Sequence, residues 1–391
     1  MAELHVSEEF DAVIGRIRAI GPLLEDNAEH SEEIGRLSDE SAKALVDTGI
    51  FRIGIPAELG GYEFSPRQAM ETIAEVSYFD ASAGWSFMAL QLATGTTPAY
   101  LGWDVVHDLY PNVLRGHHAL IAGQGTKPGT AVKTEGGYRI SGDWQFASGV
   151  SMATHIHTSA HCAEEDRALV FTLPVKQVAL QDNWDVMGLR ATGSIDYSIR
   201  EAFVPASYAY EATCTSPRMG GALYRLGLAN MSGICHAGWA LGVGRRMLDE
   251  MRALAATKTG TPRAAVDSQQ FHAEYAQAEA KFRAARAFAF ETWKQCEETL
   301  DDGRGLSTEQ ETLTRLALGN ATSSVHEVGQ TVYRWAGTAA LRRSALQRFF
   351  RDLHGGTQHV TSGPGVLQNC GKLLAGLSDG HWQFLELVES D

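Results

Sequence analysis

The stretch LQRFFRDLHGGTQHVTSGPGVLQNCG, residues 346–371, sets the reading of the whole chain. Within nine residues it holds Arg351, Asp352, His354, Gly355, Gly356 and His359. An adjacent Arg and Asp place a planar fork of donors beside an acceptor, the usual makings of a clamp that ties helix ends together. The Gly-Gly after it is expected to stop or loosen the helix where a backbone or ligand must come close. A histidine just past that break projects from a fixed support into a cavity. His359 is in that place, and His354 reads as its structural neighbour.

Upstream of this stretch the pattern is helical. Residues 231–255, 268–296 and 309–335 read as three long, Ala-rich helices, which suggests a bundle. Between His118 and Arg225 the period changes. Short alternating segments follow one another: ALIAGQG (119–125), GGYRISGDWQFASG (136–149), THIHTSAH (154–161), RALVFTLPV (167–175) and YSIREAFVP (197–205). Gly136-Gly137 is a hairpin-type turn signal, and the spacing implies a small β-barrel or sandwich. Residues 1–117 return to helices. Phe10, Val13, Ile14 and Ile17 repeat at helical spacing, as do Ala42, Leu45 and Val46 before a stop at Gly49. Ser65 reads as an N-cap, with Pro66 at the first helical position and Gln68 three residues on. The expected division is a helical region 1–117, a β-region 118–225 and a helical bundle 226–391. With no repeat or low-complexity linker, the three are expected to pack as one body.

Composition narrows the function. The 391 residues carry a net charge of -14, which argues against a nucleic-acid surface and an anionic membrane. Five cysteines without a CxxC pair suggest reduced thiols in a cytoplasm. The polar N-terminus is unlike a signal peptide, and no apolar run reaches the ~18 residues of a membrane span. His155, His157, His161 and Cys162 cluster. His155 and His157 share a strand face, but no carboxylate or second cysteine stands at a ligand spacing, so no metal is expected. Gly242-Val243-Gly244 lies in a helical stretch and lacks a third glycine, so the chain is not expected to bind NAD(P)H itself.

Four segments in order resemble the acyl-CoA dehydrogenase fold. VDTGIFRIGIPAELGGYEFS (46–65) is similar to its first-domain G-hydrophobic-P-x-x-x-G-G segment, and ISGDWQFASGV (140–150) to its flavin-contacting strand. MGLRATGSIDYSIREAFVP (187–205) resembles the last strands of its β-domain. YRWAGTAALRRSALQRFFRD (333–352) resembles its G-G-x-G and E-R-x-x-R-D stretch. The resemblance covers nearly the whole chain. It implies an α+β fold: an N-terminal helical domain, a central β-barrel or sandwich and a C-terminal four-helix bundle.

One departure bears on the activity. Dehydrogenases of the fold often carry a Glu base in R-D-x-x-x-x-E-G-T. Here that position falls at Gly356 or Thr357, where there is no carboxylate. The pattern L-Q-R-x-x-R-D-x-x-x-x-x-x-H, with Ser-Gly ending the flavin strand, resembles instead the oxygenase components of two-component flavin-dependent monooxygenases. That resemblance implies FMNH2 or FADH2 delivered by a separate NAD(P)H:flavin reductase. With O2 and a C4a-hydroperoxide, a small aromatic or polycyclic substrate is then hydroxylated. A sulfur- or amino-sugar-oxidising monooxygenase, an FAD-dependent acyl-CoA dehydrogenase-like oxidoreductase and a catalytically silent member of the fold are the alternatives.

The resemblance also implies site roles. Ser148 meets the flavin N5 and holds its proton. Phe146 packs along the isoalloxazine; Trp144, on the same strand face by period two, does likewise or belongs to the β-core. Gly123, Gln124 and Gly125 pass the pyrimidine edge. Thr192 and Ser194 reach the ribityl chain or phosphate, or are exposed turn residues. Arg263 pairs with a flavin phosphate or stands in solvent. His359, titrating near neutrality, faces the distal oxygen as proton donor or base. A homotetramer is expected, because members of the fold complete the flavin site with a neighbour's helices.

Overall fold

The structure is a computed structural model and describes residues 2–389. Its first helix, α1 (Ala2–Glu33), buries Val13, Ile17, Leu24 and Ala28, which recur at spacings of four and seven. Helix α2 (Asp39–Asp47) starts where the Ser38 hydroxyl accepts the Ser41 N–H, and the chain turns at Gly49 with φ 73°. Leu45 is fully buried while Val46 is exposed, so the apolar stripe of α2 is narrower than its sequence suggests. Helix α3 (Pro66–Phe79) opens with the expected capping box of Ser65 and Gln68 and buries Ile73 and Val76. Helix α4 (Ala81–Leu101), capped by Asp80, is buried on nearly all sides, and α5 (Trp103–Leu109) follows it.

The strands are β1 (Ile121–Thr134), β2 (Gly137–Trp144), β3 (His155–Cys162), β4 (Arg167–Pro174), β5 (Ala179–Leu180), β6 (Tyr197–Pro205) and β7 (Ala209–Glu211). They form one seven-stranded sheet in the order β5-β6-β2-β1-β3-β4-β7. Thr134 pairs with Gly137, so the first hairpin turns on Glu135-Gly136, one residue before the Gly-Gly signal. The pairing of β1 with β3 shifts register between Gln124 and Gly129. Such a shift bends the sheet, and its two halves close over each other. The Tyr197 hydroxyl on β6 reaches Thr158 Oγ1 on β3 at 3.0 Å, and Trp144 Nε1 donates to the Ser159 carbonyl at 3.1 Å.

The remaining helices are α6 (Gly227–Lys258), α7 (Gln269–Asp301), α8 (Thr308–Ala336), α9 (Ala345–Gly356) and α10 (Pro364–Leu374). A short hairpin of β8 (His381–Gln383) and β9 (Glu386–Val388) follows. One hydrophobic core runs through the N-terminal helices, the sheet and α6–α9. Gly242 serves this packing. A Cβ there would lie 2.2 Å from the Ala74 carbonyl, so its absence lets α3 lie flush on α6.

The Arg351-Asp352 clamp and the Gly-Gly stop expected in the 346–371 stretch are both present. The Arg351 guanidinium bonds Glu32 at 2.8 Å and the Met187 carbonyl at 2.9 Å, while Asp352 accepts the Leu189 N–H. Neighbours on a helix point in different directions, so the pair ties α9 to the end of α1 on one side and to the chain before β6 on the other. Helix α9 stops at Gly356, with Gly355 in its last turn. A Cβ on Gly356 would sit 2.1 Å from the Trp239 ring. The glycine makes room for that indole.

Candidate active site

A cavity of about 390 Å³ lies between α4, α6, β1, the chain after β2 and the loop after α9. Of the expected residues it brings together Gly123, Gln124, Gly125, Phe146, Ser148, Ser194 and His359. Its size falls in the range of small-molecule sites. Among the described residues, no Asp or Glu lines it, and Lys127 is its single Lys or Arg side chain.

His359 sits in the loop between α9 and a short 3-10 turn, Val360–Ser362. Its Nδ1 is 2.8 Å from Thr361 Oγ1 and accepts the Thr361 N–H at 3.4 Å. That arrangement favours the neutral ring with its proton on Nε2. Burial pushes its pKa down to about 4, so the expected titration near neutrality is corrected: at neutral pH the ring is uncharged. His236, on α6, lies against it with ring centroids 3.8 Å apart. Burial, then the neighbouring His359, holds His236 well below the usual histidine range. Trp85, on α4, meets both imidazoles edge-on, at 5.1 and 5.7 Å, and is backed by Trp239 at 4.9 Å.

Trp85 links this wall to the strand side. Its Nε1 donates to Ser148 Oγ at 3.1 Å. Ser148 Oγ is 2.7 Å from Ser194 Oγ, which is 2.6 Å from Thr192 Oγ1, and Thr192 donates to the Leu189 carbonyl at 2.8 Å. Thr192 is buried and does not line the cavity. Neither Thr192 nor Ser194 is an exposed turn residue; both are core hydroxyls of this chain.

Phe146 and Trp144 do not share a face. Strand β2 ends at Trp144, and Phe146 adopts φ 65°. The left-handed residue breaks the alternation. Trp144 is buried against Tyr197 at 5.4 Å and belongs to the β-core; Phe146 is 59% exposed at the cavity. Arg263 is not at this cavity. It lines a separate pocket with Lys258 and Arg334.

Three lining residues had no distinct signal in the sequence. His236 and Cys235 lie in an apolar helix where each reads as core, and Trp85 lies in a helix buried all round. Burial pushes the Cys235 thiol up to about 12, and Gln91 donates to its sulfur at 3.0 Å. His157, which lines the cavity from β3, is pushed down to about 4 by burial. Its Nδ1 has no partner among the described residues.

The site fits a flavin. A planar heteroaromatic ring of mixed polarity matches an exposed phenyl, apolar walls, the orphaned His157 Nδ1 and a serine hydroxyl on the floor.

Comparisons with known proteins agree. Residues 234–363 match the family model described as acyl-CoA dehydrogenase, C-terminal domain. The chain is 27% identical to an indole-3-acetate monooxygenase of Pseudomonas putida, over 87% of this chain and 87% of that protein. It is 24% identical to HsaA, the oxygenase subunit of a flavin-dependent monooxygenase of Rhodococcus jostii, over 89% and 94% of the two chains. The crystal structure of XiaF from Streptomyces sp. in complex with FADH2 and glycerol superposes with a TM-score of 0.87 at 22% identity, covering 96% of this chain and 98% of that one. The chain has the acyl-CoA dehydrogenase fold, and the relatives it resembles over most of its length are named as flavin-dependent or indole-3-acetate monooxygenases.

Proposed function

We propose that the protein is the oxygenase component of a two-component monooxygenase that hydroxylates a small aromatic or polycyclic substrate. The observation that carries this reading is the composition of the cavity wall. Among the described residues no carboxylate lines it, while two imidazoles and a serine hydroxyl do. An acyl-CoA dehydrogenase needs a base for the α-proton of a thioester. At Gly356 the Trp239 ring leaves no room even for a Cβ, and Thr357 spends its hydroxyl on the His354 carbonyl.

Reduced flavin, FMNH2 or FADH2, supplies the electrons and activates the dioxygen when bound. The protein's part is to hold it, to hold protons and to exclude water. Ser148 Oγ would accept a hydrogen bond from the flavin N5–H and so hold that proton on N5. The backbone of Gly123, Gln124 and Gly125 and the Phe146 ring would hold the flavin ring, and Lys127 would supply a cation for its phosphate. His359, held by Thr361 as a neutral ring, would offer its Nε2–H as a proton donor in the cavity. His236 stacks behind it and keeps the wall dry. The mainly apolar walls suit an aromatic substrate, as the name of the indole-3-acetate relative suggests for that protein.

Arg263 has a place in this reading only through a neighbour. Its pocket, with Lys258 and Arg334, is suited to a phosphate of a flavin held by another copy in a homotetramer. Light scattering that gives the monomer mass removes that role. Among the described residues no helix is long and apolar enough to cross a membrane, and a cytoplasmic NAD(P)H:flavin reductase is the proposed source of reduced flavin. The function is tested by mixing the protein with enzymatically reduced FMN or FAD, O2 and a panel of phenols and indoles. Oxygen incorporated into an aromatic product supports the reading. A yellow protein bleached by an acyl-CoA contradicts it.

A further inference from the structure

The hydroxyl chain beneath Ser148 has a direction. At one end stands the Trp85 indole N–H, which can only donate; at the other the Leu189 carbonyl, which can only accept. Three hydroxyls lie between them, and each has one hydrogen to give. Thr192 gives its hydrogen to the Leu189 carbonyl, so it can only accept from Ser194. Ser194 thereby spends its hydrogen and can only accept from Ser148. Ser148 accepts from Trp85 and gives its own hydrogen to Ser194. What it has left for a ligand is a lone pair.

The anchor of this chain is itself fixed. Leu189 is held at φ 56°, and its N–H donates to the buried Asp352 carboxyl at 2.5 Å. Thr192 is almost fully buried and does not line the cavity, so water does not offer its hydroxyl another route.

The N5 atom of a flavin changes hydrogen-bonding sense with redox state. Reduced flavin carries N5–H and donates; oxidised flavin has a bare N5 and accepts. We propose that Thr192, through Ser194, sets the preference of this site for reduced over oxidised flavin by forcing Ser148 to act as an acceptor. The proposal rests on the flavin reading of the cavity. Thr192 is a positioning residue here and touches no ligand.

The experiment measures dissociation constants of oxidised and anaerobically reduced FMN and FAD for the full-length protein and for Thr192→Val, Thr192→Ser and Ser194→Ala. The parent should bind the reduced form at least about tenfold more tightly, the size of one buried hydrogen bond left unmade. By linkage this raises the midpoint potential of bound flavin by about 30 mV per tenfold. Thr192→Val frees the Ser194 hydrogen to turn toward Ser148, and Ser194→Ala frees Ser148 directly. Both should tighten oxidised-flavin binding and bring the ratio toward one, with the potential falling to match. Thr192→Ser, which keeps the hydroxyl, should retain the parent ratio. Flavin binding with an unchanged ratio in both Thr192→Val and Ser194→Ala overturns the proposal and leaves the flavin reading standing. A parent that binds neither redox state overturns both.

Discussion

His359→Ala, read against pH, tests the protonation state on which the site's chemistry depends. With a pKa of about 4 in the folded protein, roughly one ring in a thousand is charged at pH 7. A mechanism that needed the imidazolium would be nearly silent there. The neutral Nε2–H gives a different signature. Single-turnover mixing of enzyme, FMNH2, O2 and indole should give a product yield per flavin that is flat from pH 6 to 8. An imidazolium titrating near 6.5 would instead lose about tenfold per pH unit above that value. The Ala variant should lose about 100- to 10,000-fold in the oxygen-transfer step, with H2O2 released in place of product. Stability supplies a readout that needs no substrate. Because the folded pKa is depressed below the ordinary 6.5, the contribution of the neutral ring is complete above pH 6.5 and is lost as pH falls toward 4. By pH 5 the loss is about 2 kcal/mol, from 1.5 units at 1.36 kcal/mol each. His359→Ala should therefore lose less stability than the parent between pH 7.5 and pH 5 in urea melts. Equal losses, or a parent yield that falls with a midpoint near 6.5, refute the neutral assignment.

Other expectations are as specific. Ser148→Ala should bind reduced flavin more weakly and release H2O2 in place of product, because the N5 proton and the Trp85 N–H both lose their acceptor; an unchanged ratio of product to H2O2 counts against the role. Gly356→Ala should lower stability by about 1–3 kcal/mol by overpacking, since its Cβ would meet the buried Trp239 ring at 2.1 Å. Thermal melting checks it, and a variant as stable as the parent shows that the ring yields. That variant should also disturb flavin binding, because Trp239 backs Trp85.

The legible parts of the sequence were local ones. Ser65, Pro66 and Gln68 give the start of α3, because a capping box is a relation between residues three apart. The alternation of β2 and the length of α7 are visible for the same reason. What failed depended on direction or on distant packing. Adjacency of Arg351 and Asp352 signalled the clamp but not its partners, Glu32 on one side and the Leu189 N–H on the other. Gly355-Gly356 signalled the end of α9, but the indole that requires Gly356 lies more than a hundred residues away in sequence. Phe146 departs from the period of β2 through one positive φ that no neighbouring glycine announces. Helix α4 is buried all round, so nothing in its apolar sequence tells which face turns Trp85 to the site. The site could be read at Ser148 and His359 through family resemblance. Their partners Trp85, Thr361 and His236 come from packing that the sequence does not display.

The most direct test of the oxygenase assignment needs no substrate. The protein is loaded anaerobically with FMNH2 or FADH2 and mixed with oxygenated buffer in a stopped-flow spectrophotometer. The account predicts that bound flavin returns to its oxidised spectrum through a distinct delayed phase, because Ser148 would hold the N5 proton in a site walled by Trp85, His236 and His359. Reoxidation identical in course and rate to that of free flavin, at protein concentrations that saturate binding, contradicts it.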